Sequence, residues 1–200
     1  MKKRKWPKIE FRKVDISKID DRTLLANLYF TQLITFLFGI IIIMFQRDNR
    51  FVDAWITTAA FDVFLWGGGF AAAVLLTDWA VSRFVPEHVT DDGGINEKIF
   101  RFRPLWHIAF ISLIVAICEE VLFRGALQHV MGPYWTSIVF AAIHIRYLRH
   151  WIMTGLVFSI SYGLGWIYIQ TGTIWTPIFA HFAIDFIMGC IIRYRRDDES

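Results

Sequence analysis

Long apolar runs constrain this chain more than any other feature of its sequence. Hydrophobic residues make up 56% of its 200 residues, and several runs reach the roughly 20 residues that a helix needs to cross the hydrocarbon core of a bilayer. Inside a bilayer every backbone N–H and C=O group needs a partner within the protein, and α-helices satisfy that requirement within each segment. We therefore predict an all-α, polytopic membrane protein with about six transmembrane helices.

Basic residues cluster beside the apolar runs and predict how the chain crosses the lipid bilayer. Loops rich in Lys and Arg stay in the cytoplasm, so both termini are expected there, in a multi-pass protein of the cell membrane. No basic stretch carries a base-reading motif, so nucleic acid is not an expected partner. The predicted segments are a basic cytoplasmic tail at 1–22, two transmembrane helices within 23–85, a cytoplasmic loop at 86–103, a block of four further helices at 104–192 and a cytoplasmic C-terminal tail at 193–200.

Three charged residues interrupt the third apolar run. Charge at membrane depth is expensive and is usually retained for a function. In a helix, residues four apart share a face and neighbours are about 100° apart. Glu120 and Arg124 are therefore predicted to form an i,i+4 ion pair. Glu119 points in another direction, with no basic residue on its own face, so one acid is neutralised and the other is left free for chemistry.

Three further polar residues lie within the later apolar runs: His144, His181 and Asp185. A carboxylate with two imidazoles can activate water and stabilise an oxyanion, and the same groups can bind a divalent metal ion. His181 and Asp185 are four residues apart and share a helical face. Either the carboxylate orients the imidazole or both groups face one ligand.

The polar residues form three short patterns in a fixed order along the second half of the chain. They are Glu119-Glu120-Val121-Leu122-Phe123-Arg124-Gly125, Phe140-x-x-x-His144 and His181-x-x-x-Asp185. In this order and at these intervals, residues 104–192 resemble the CAAX protease and bacteriocin-processing (CPBP) family, also called the Abi family of intramembrane endopeptidases. The resemblance implies a four-helix catalytic core with a cavity inside the bilayer.

The same resemblance implies a role for each polar residue. Glu119 would be the base that activates water, assisted by His144, while His181 and the residue at 185 would supply the oxyanion hole. Glu120 and Arg124 would brace the site, and no cofactor is implied. Asp185 stands where the eukaryotic members carry Asn, and an ionised Asp would repel an oxyanion. It is therefore protonated, or it orients His181, or it helps to hold a metal ion.

The expected function is proteolysis of a membrane-associated protein or peptide by glutamate-activated water. Three alternatives stay open. One is a non-catalytic immunity or partner-binding protein with the same fold. Another is an ion-coupled carrier, although the chain shows no evident inverted repeat. The last is a metal-dependent intramembrane protease that uses His144 and His181 with a carboxylate.

Helix length raises a question about depth. At ~1.5 Å per residue, Glu119 lies roughly 22 Å from Pro104 along its helix, whereas His144 lies near the cytoplasmic end of the next one. For the two to meet, we predict that the third helix is tilted and continues to about Val130, before Gly132-Pro133 breaks it. The first two helices are predicted to be variable packing partners. In the fifth, a stripe of small residues is predicted to pack closely against a neighbour: Gly155, Ser159 and Gly163.

Overall fold

The computed structural model describes residues 19–48, 50–57, 60–85, 94–148 and 150–195, with the side chain at position 146 left out. Throughout these ranges the chain forms helices joined by short connections, and no strand occurs among them. The all-α prediction is confirmed. Most of the predicted basic tail (1–18), part of the predicted cytoplasmic loop (86–93) and the last residues (196–200) lie outside the described residues.

The helices follow one another closely along the chain. They are α1 (Asp21–Met44), α2 (Arg50–Ile56), α3 (Ala60–Phe84), α4 (Ile95–Phe100), α5 (Leu105–Glu120), α6 (Gln128–Ile143), α7 (Trp151–Thr171) and α8 (Trp175–Tyr194). A π-helical segment, Val121–Leu127, joins α5 to α6 without a loop. In the described part of the chain, five helical segments are long and apolar enough to cross a membrane, with α5 and α6 counted as one. The chain is therefore a multi-pass membrane protein.

The longest of these segments is bent at a glycine. Leu105–Ile143 has 39 residues and would extend roughly 58 Å if it were straight, about twice the hydrocarbon thickness. Gly132 breaks it with φ 74° and ψ 170°, a backbone conformation that side chains disfavour. Pro133 opens the next limb, where its missing N–H costs nothing. The predicted third and fourth spans are thus two limbs of one bent segment.

The bend explains how residues on the two limbs reach the same depth. The rings of Phe123 and Phe140 are 4.7 Å apart, and Glu119 and His144 line the same cavity. In each pair, the two residues lie about equally far from the bend at Gly132, on opposite sides of it. The two limbs therefore run back along each other. At ~1.5 Å per residue, Glu119 and His144 each lie roughly 19 Å from the bend. The short second limb therefore brings His144 level with Glu119.

Helix α1 packs directly on the segment that follows α5. Asp20 caps its N-terminus by accepting hydrogen bonds from the backbone N–H groups of Arg22 (2.7 Å) and Thr23 (3.4 Å). The buried residues of α1 are Gln32 and Gly39. A Cβ at Gly39 would lie 3.0 Å from the Cα of Leu122, so glycine is what lets the two backbones approach.

Helix α8 lies at the centre of the bundle and contacts α3, α4, α5 and α7. Its buried Ile178 packs with Ala116 and Val121 on the α5 side, and its Ala180 packs with Leu164 and Ile167 of α7. His181 follows Ala180 directly. This packing places the histidine between α5 and the rest of the bundle.

The close packing of α7 uses other small residues than those predicted. No atom of the described residues lies within 4 Å of where a Cβ at Gly155 would be, and Ser159 is exposed. Gly163 does pack tightly, against the Phe70 ring. The face that meets α6 and the π-helical segment instead carries Ser161 and Gly165, both buried. The predicted stripe is therefore correct only at Gly163.

Candidate active site

One cavity brings together four residues that the sequence patterns single out as candidate catalytic groups. Its volume is about 530 Å³, and its lining includes Glu119, His144, His181 and Asp185. Most of the remaining lining is apolar and comes from α3, α7 and α8. A few polar groups converging in an otherwise apolar cavity are typical of a ligand-binding or active site.

Glu119 lies in the last turn of α5 with its carboxylate at the cavity. Its side chain is 13% exposed. Oε1 accepts a hydrogen bond of 3.1 Å from the Gln32 side chain of α1, and Oε2 lies 3.9 Å from Nε2 of His181. Because Oε2 makes no closer contact with these partners, it is the oxygen best placed to meet a bound molecule.

Glu120 points away from the cavity and is fully buried, as is Arg124. Nε of Arg124 donates to Oε2 of Glu120 at 2.8 Å, which confirms the predicted ion pair. Oε1 of Glu120 forms a second hydrogen bond, of 2.8 Å, with Nδ1 of His181. The helix positions alone did not predict this second contact. Glu120 therefore connects the guanidinium of Arg124 to the imidazole of His181.

The remaining donors of Arg124 reach two further buried side chains. Its terminal nitrogens donate to Oε1 of Gln128 at 3.4 Å and to Oγ of Ser161 at 3.0 Å. Gln128 in turn donates to the backbone carbonyl oxygen of Gly165 at 2.9 Å. We call Glu120, Arg124, Gln128 and Ser161 the brace network. It ties the end of α5 to α7 with buried hydrogen bonds.

The brace network fixes the proton on one nitrogen of His181. An ionised carboxylate can only accept hydrogen bonds, so Nδ1 donates to Glu120. The other nitrogen, Nε2, faces the cavity and lies 3.5 Å from Oδ2 of Asp185. A carboxylate that holds one ring nitrogen sets both the tautomer and the orientation of the imidazole.

His144 follows the last residue of α6, where the backbone leaves the helical conformation (φ −79°, ψ 55°). Its Nδ1 lies 2.7 Å from the carbonyl oxygen of Phe140, and its ring packs on the Phe140 ring with centroids 4.4 Å apart. A carbonyl oxygen only accepts, so Nδ1 is the donor. In the neutral ring Nε2 is then free to accept a hydrogen bond.

The predicted pattern omitted several residues of this site. Gln32 lies in a helix that the sequence predicts to be a packing partner, although an amide in the middle of an apolar run is a signal of a further role. Ser161 and Gln128 give no such signal, because serine and glutamine are common in helices. Asp78 of α3 also lines the cavity. Among the described residues, no three His, Cys, Asp or Glu side chains are grouped so that they could hold a metal ion.

The fold and the site together define a class of protein, a multi-pass helical membrane protein whose ionisable residues converge on one internal cavity. A family model described as "Type II CAAX prenyl endopeptidase Rce1-like" matches residues 101–187, the region that holds all six predicted site residues. The chain belongs to this Rce1-like family. In general terms it is therefore an intramembrane protease of the CAAX type.

A relative from Bacillus subtilis (strain 168) matches this chain over a longer region. It is described as "Uncharacterized protein YpbD" and is 46% identical over 135 residues, which cover 66% of this chain and 71% of the relative. No solved structure matches the chain. The relative's description does not extend to a substrate, so the chemistry of this protein has to follow from the geometry of its site.

Proposed function

We propose that this protein hydrolyses a peptide bond in a membrane-associated substrate by means of water activated by Glu119. The observation that carries the proposal is the contrast between two adjacent acids, Glu119 and Glu120, in one turn of the helix. Glu120 is sealed and doubly hydrogen-bonded, whereas Glu119 opens onto a cavity that it shares with two histidines. The basic clusters support a cell-membrane protein with both termini in the cytoplasm.

The first step of the proposed reaction is attack by water on the substrate carbonyl carbon. Glu119 takes a proton from the water through Oε2, while Nε2 of His144 accepts a hydrogen bond from the same water and orients it. The new C–O bond leaves a negative charge on the former carbonyl oxygen. When the C–N bond breaks, Glu119 returns its proton to the departing amine, so the enzyme ends unchanged.

His181 is the proposed donor to the oxyanion. Its Nδ1–H is held by Glu120, so it can donate from Nε2 only as the doubly protonated imidazolium. Asp185 and Glu119 lie 3.5 Å and 3.9 Å from Nε2 and stabilise that positive charge. In this arrangement Asp185 orients His181 and stabilises its protonated form, instead of donating to the oxyanion itself. An acid at position 185 is therefore compatible with the chemistry.

The cavity suits an extended peptide with apolar neighbours. Its volume of about 530 Å³ and its largely apolar walls leave room for a few residues or for a lipid-like chain. The family description names prenyl endopeptidases, which makes a peptide near a lipidated C-terminus one candidate substrate. A bacteriocin leader and the membrane segment of a signalling protein are the others.

A comparison of cleavage products tests the proposal. Membrane proteins from cells that carry the native chain are compared by mass spectrometry with those from cells that carry Glu119→Gln. We expect products that disappear in the variant and persist with Glu97→Gln, a control at an exposed acid. With a purified substrate, kcat should fall roughly 10²–10⁴-fold. Cleavage that survives Glu119→Gln would contradict the proposal. A cellular phenotype that survives Glu119→Gln intact would favour a partner-binding role, and transport in proteoliposomes without any peptide cleavage would favour a carrier.

A metal-dependent version of the same reaction would use His144 and His181 as ligands. Metal analysis of the purified protein, together with cleavage assays in the presence of a chelator, separates the two mechanisms. We expect cleavage to continue after chelation. Loss of cleavage, followed by recovery when a divalent metal is added back, would favour the metal-dependent mechanism.

A further inference from the structure

Gln32 places a polar amide where the chain should avoid one. It lies near the midpoint of α1, which runs from Asp21 to Met44 and consists mainly of apolar residues. Its exposed fraction is 9%. A buried amide costs free energy unless its hydrogen bonds are satisfied, and Leu or Ile would fill the position at lower cost.

The amide is satisfied at only one end. Nε2 donates to Oε1 of Glu119 at 3.1 Å, whereas Oε1 of Gln32 is buried and has no hydrogen-bond partner among the residues that the structure describes. An orphaned buried oxygen carries a penalty of its own, so the contact with Glu119 is what the amide contributes. A buried polar atom without a hydrogen-bond partner needs an explanation, and a functional role is one.

Backbone packing holds this contact in place. Gly39 lies two helical turns after Gln32 and therefore on the same face of α1. Its lack of a side chain lets α1 approach Leu122. The two buried residues of α1 thus have separate tasks, close approach at Gly39 and a polar contact at Gln32.

We propose that Gln32 is a positioning residue for Glu119. By donating to Oε1, it holds one carboxylate oxygen and leaves Oε2 directed at the cavity. An amide also serves both states of a general base. It donates through N–H to the carboxylate, and after a flip it accepts through its oxygen from the protonated acid. The α1 helix, outside the matched residues 101–187, then belongs to the active site. The expected effect of Gln32 on catalysis rests on the proposed function. Its expected effect on the orientation and reactivity of the Glu119 carboxyl group does not.

Carbodiimide labelling measures the contact without any substrate. Dicyclohexylcarbodiimide reacts with protonated carboxyl groups in apolar surroundings, and mass spectrometry of peptides distinguishes Glu119 from Glu120. Gln32→Met keeps the length of the side chain and removes the amide. Because the ionised form of Glu119 loses a donor, its labelling at neutral pH should rise roughly tenfold or more. With a substrate in hand, kcat should fall by a similar factor and KM should change little.

Gln46→Met is the matched control. Gln46, just after α1, also reaches the π-helical segment, but it donates to the backbone carbonyl oxygens of Gly125 (3.0 Å) and Ala126 (3.3 Å). Its replacement should leave Glu119 labelling and kcat at native values. If Gln32→Met does not fold, Gln32→Asn replaces it, because its amide is one methylene too short to reach Glu119.

The outcomes separate this inference from the proposed function. Equal labelling of Glu119 in the native chain and in the folded Gln32 variant would overturn the inference, even if Glu119→Gln abolished cleavage. Increased labelling in the Gln32 variant alone would support it, even if Glu119→Gln left cleavage intact and the proposed function failed. Increased labelling in the Gln46 control as well would also overturn it, because the change would then reflect loosened packing of α1.

Discussion

Glu119 and Glu120 are adjacent residues of one type in very different surroundings. Glu120 is fully buried and forms hydrogen bonds of 2.8 Å with both Arg124 and His181. Glu119 is partly exposed to a cavity and accepts one hydrogen bond, from Gln32. The roughly 100° between neighbours on a helix directs one acid into the protein and the other toward a ligand. The comparison shows that position on the helix surface, more than residue type, decides which acid is available to react.

Glu120 and its buried partners support the cavity-facing residues through His181. A buried ion pair gives little net stability, because desolvation offsets the attraction between its charges. Its value here is orientation, since Glu120 holds Nδ1 of His181 and so directs Nε2 into the cavity. The brace network also joins α5 to α7, whose Ser161 accepts from Arg124. Substitutions in the brace network should therefore mainly lower stability, whereas substitution of Glu119 should mainly lower activity.

The largest expected effect on stability follows from Glu120→Gln. The change leaves the fully buried Arg124 without its counter-charge, which should lower the free energy of unfolding by about 3–5 kcal/mol. Thermal unfolding in detergent measures the loss. Glu97→Gln is a matched control, since Glu97 and Arg101 form an i,i+4 pair at the surface, and such pairs contribute about 0.2–1 kcal/mol. Equal losses in the two variants would contradict a structural role for the brace network.

A smaller loss is expected from Ser161→Ala. The variant removes the oxygen that accepts from the buried guanidinium at 3.0 Å and leaves that donor unsatisfied, at a cost of about 1–3 kcal/mol. Ser159→Ala on the same helix removes a hydroxyl that bonds only its own backbone, and it should change stability by less than ~0.5 kcal/mol. A larger loss from Ser159→Ala, again by thermal unfolding, would show that the exposed face of α7 contributes more than the brace network.

Local rules account for the parts of this molecule that were predicted correctly. Helical periodicity predicts the Glu120–Arg124 pair, and the backbone freedom of glycine predicts the break at Gly132. Counting residues along the helices left open how Glu119 and His144 could reach the same depth. The bend explains it, because both residues lie about equally far from Gly132 and the second limb is short. These features depend on residues close together in the chain, so the sequence is sufficient for them.

The contacts between distant helices were not predicted. Gln32 and Glu119 are 87 residues apart, and His181 and Glu120 are 61 apart. The π-helical segment Val121–Leu127 turns the residues after α5 away from the positions that an ideal α-helix would give them. Small residues do not identify the packed face of α7 either, because Ser159 and Ser161 differ by roughly 200° around the helix. Which one is buried depends on Arg124 and its neighbours.

Among the Glu120, Ser161 and Glu119 variants, Glu119→Gln has the smallest expected effect on stability and gives the sharpest form of the comparison. The amide that replaces the carboxylate keeps an oxygen that accepts from Gln32, and the cavity can supply water to its N–H groups, so the free energy of unfolding should change by less than ~1 kcal/mol. The same variant should lose roughly 10²–10⁴-fold in kcat, although it differs from Glu120→Gln by only one position. Glu119→Gln should therefore lose cleavage while keeping its stability, whereas Glu120→Gln should lose stability. A Glu119 variant as unstable as the Glu120 variant would mean that both acids serve the structure, and that the open carboxylate is not free for catalysis.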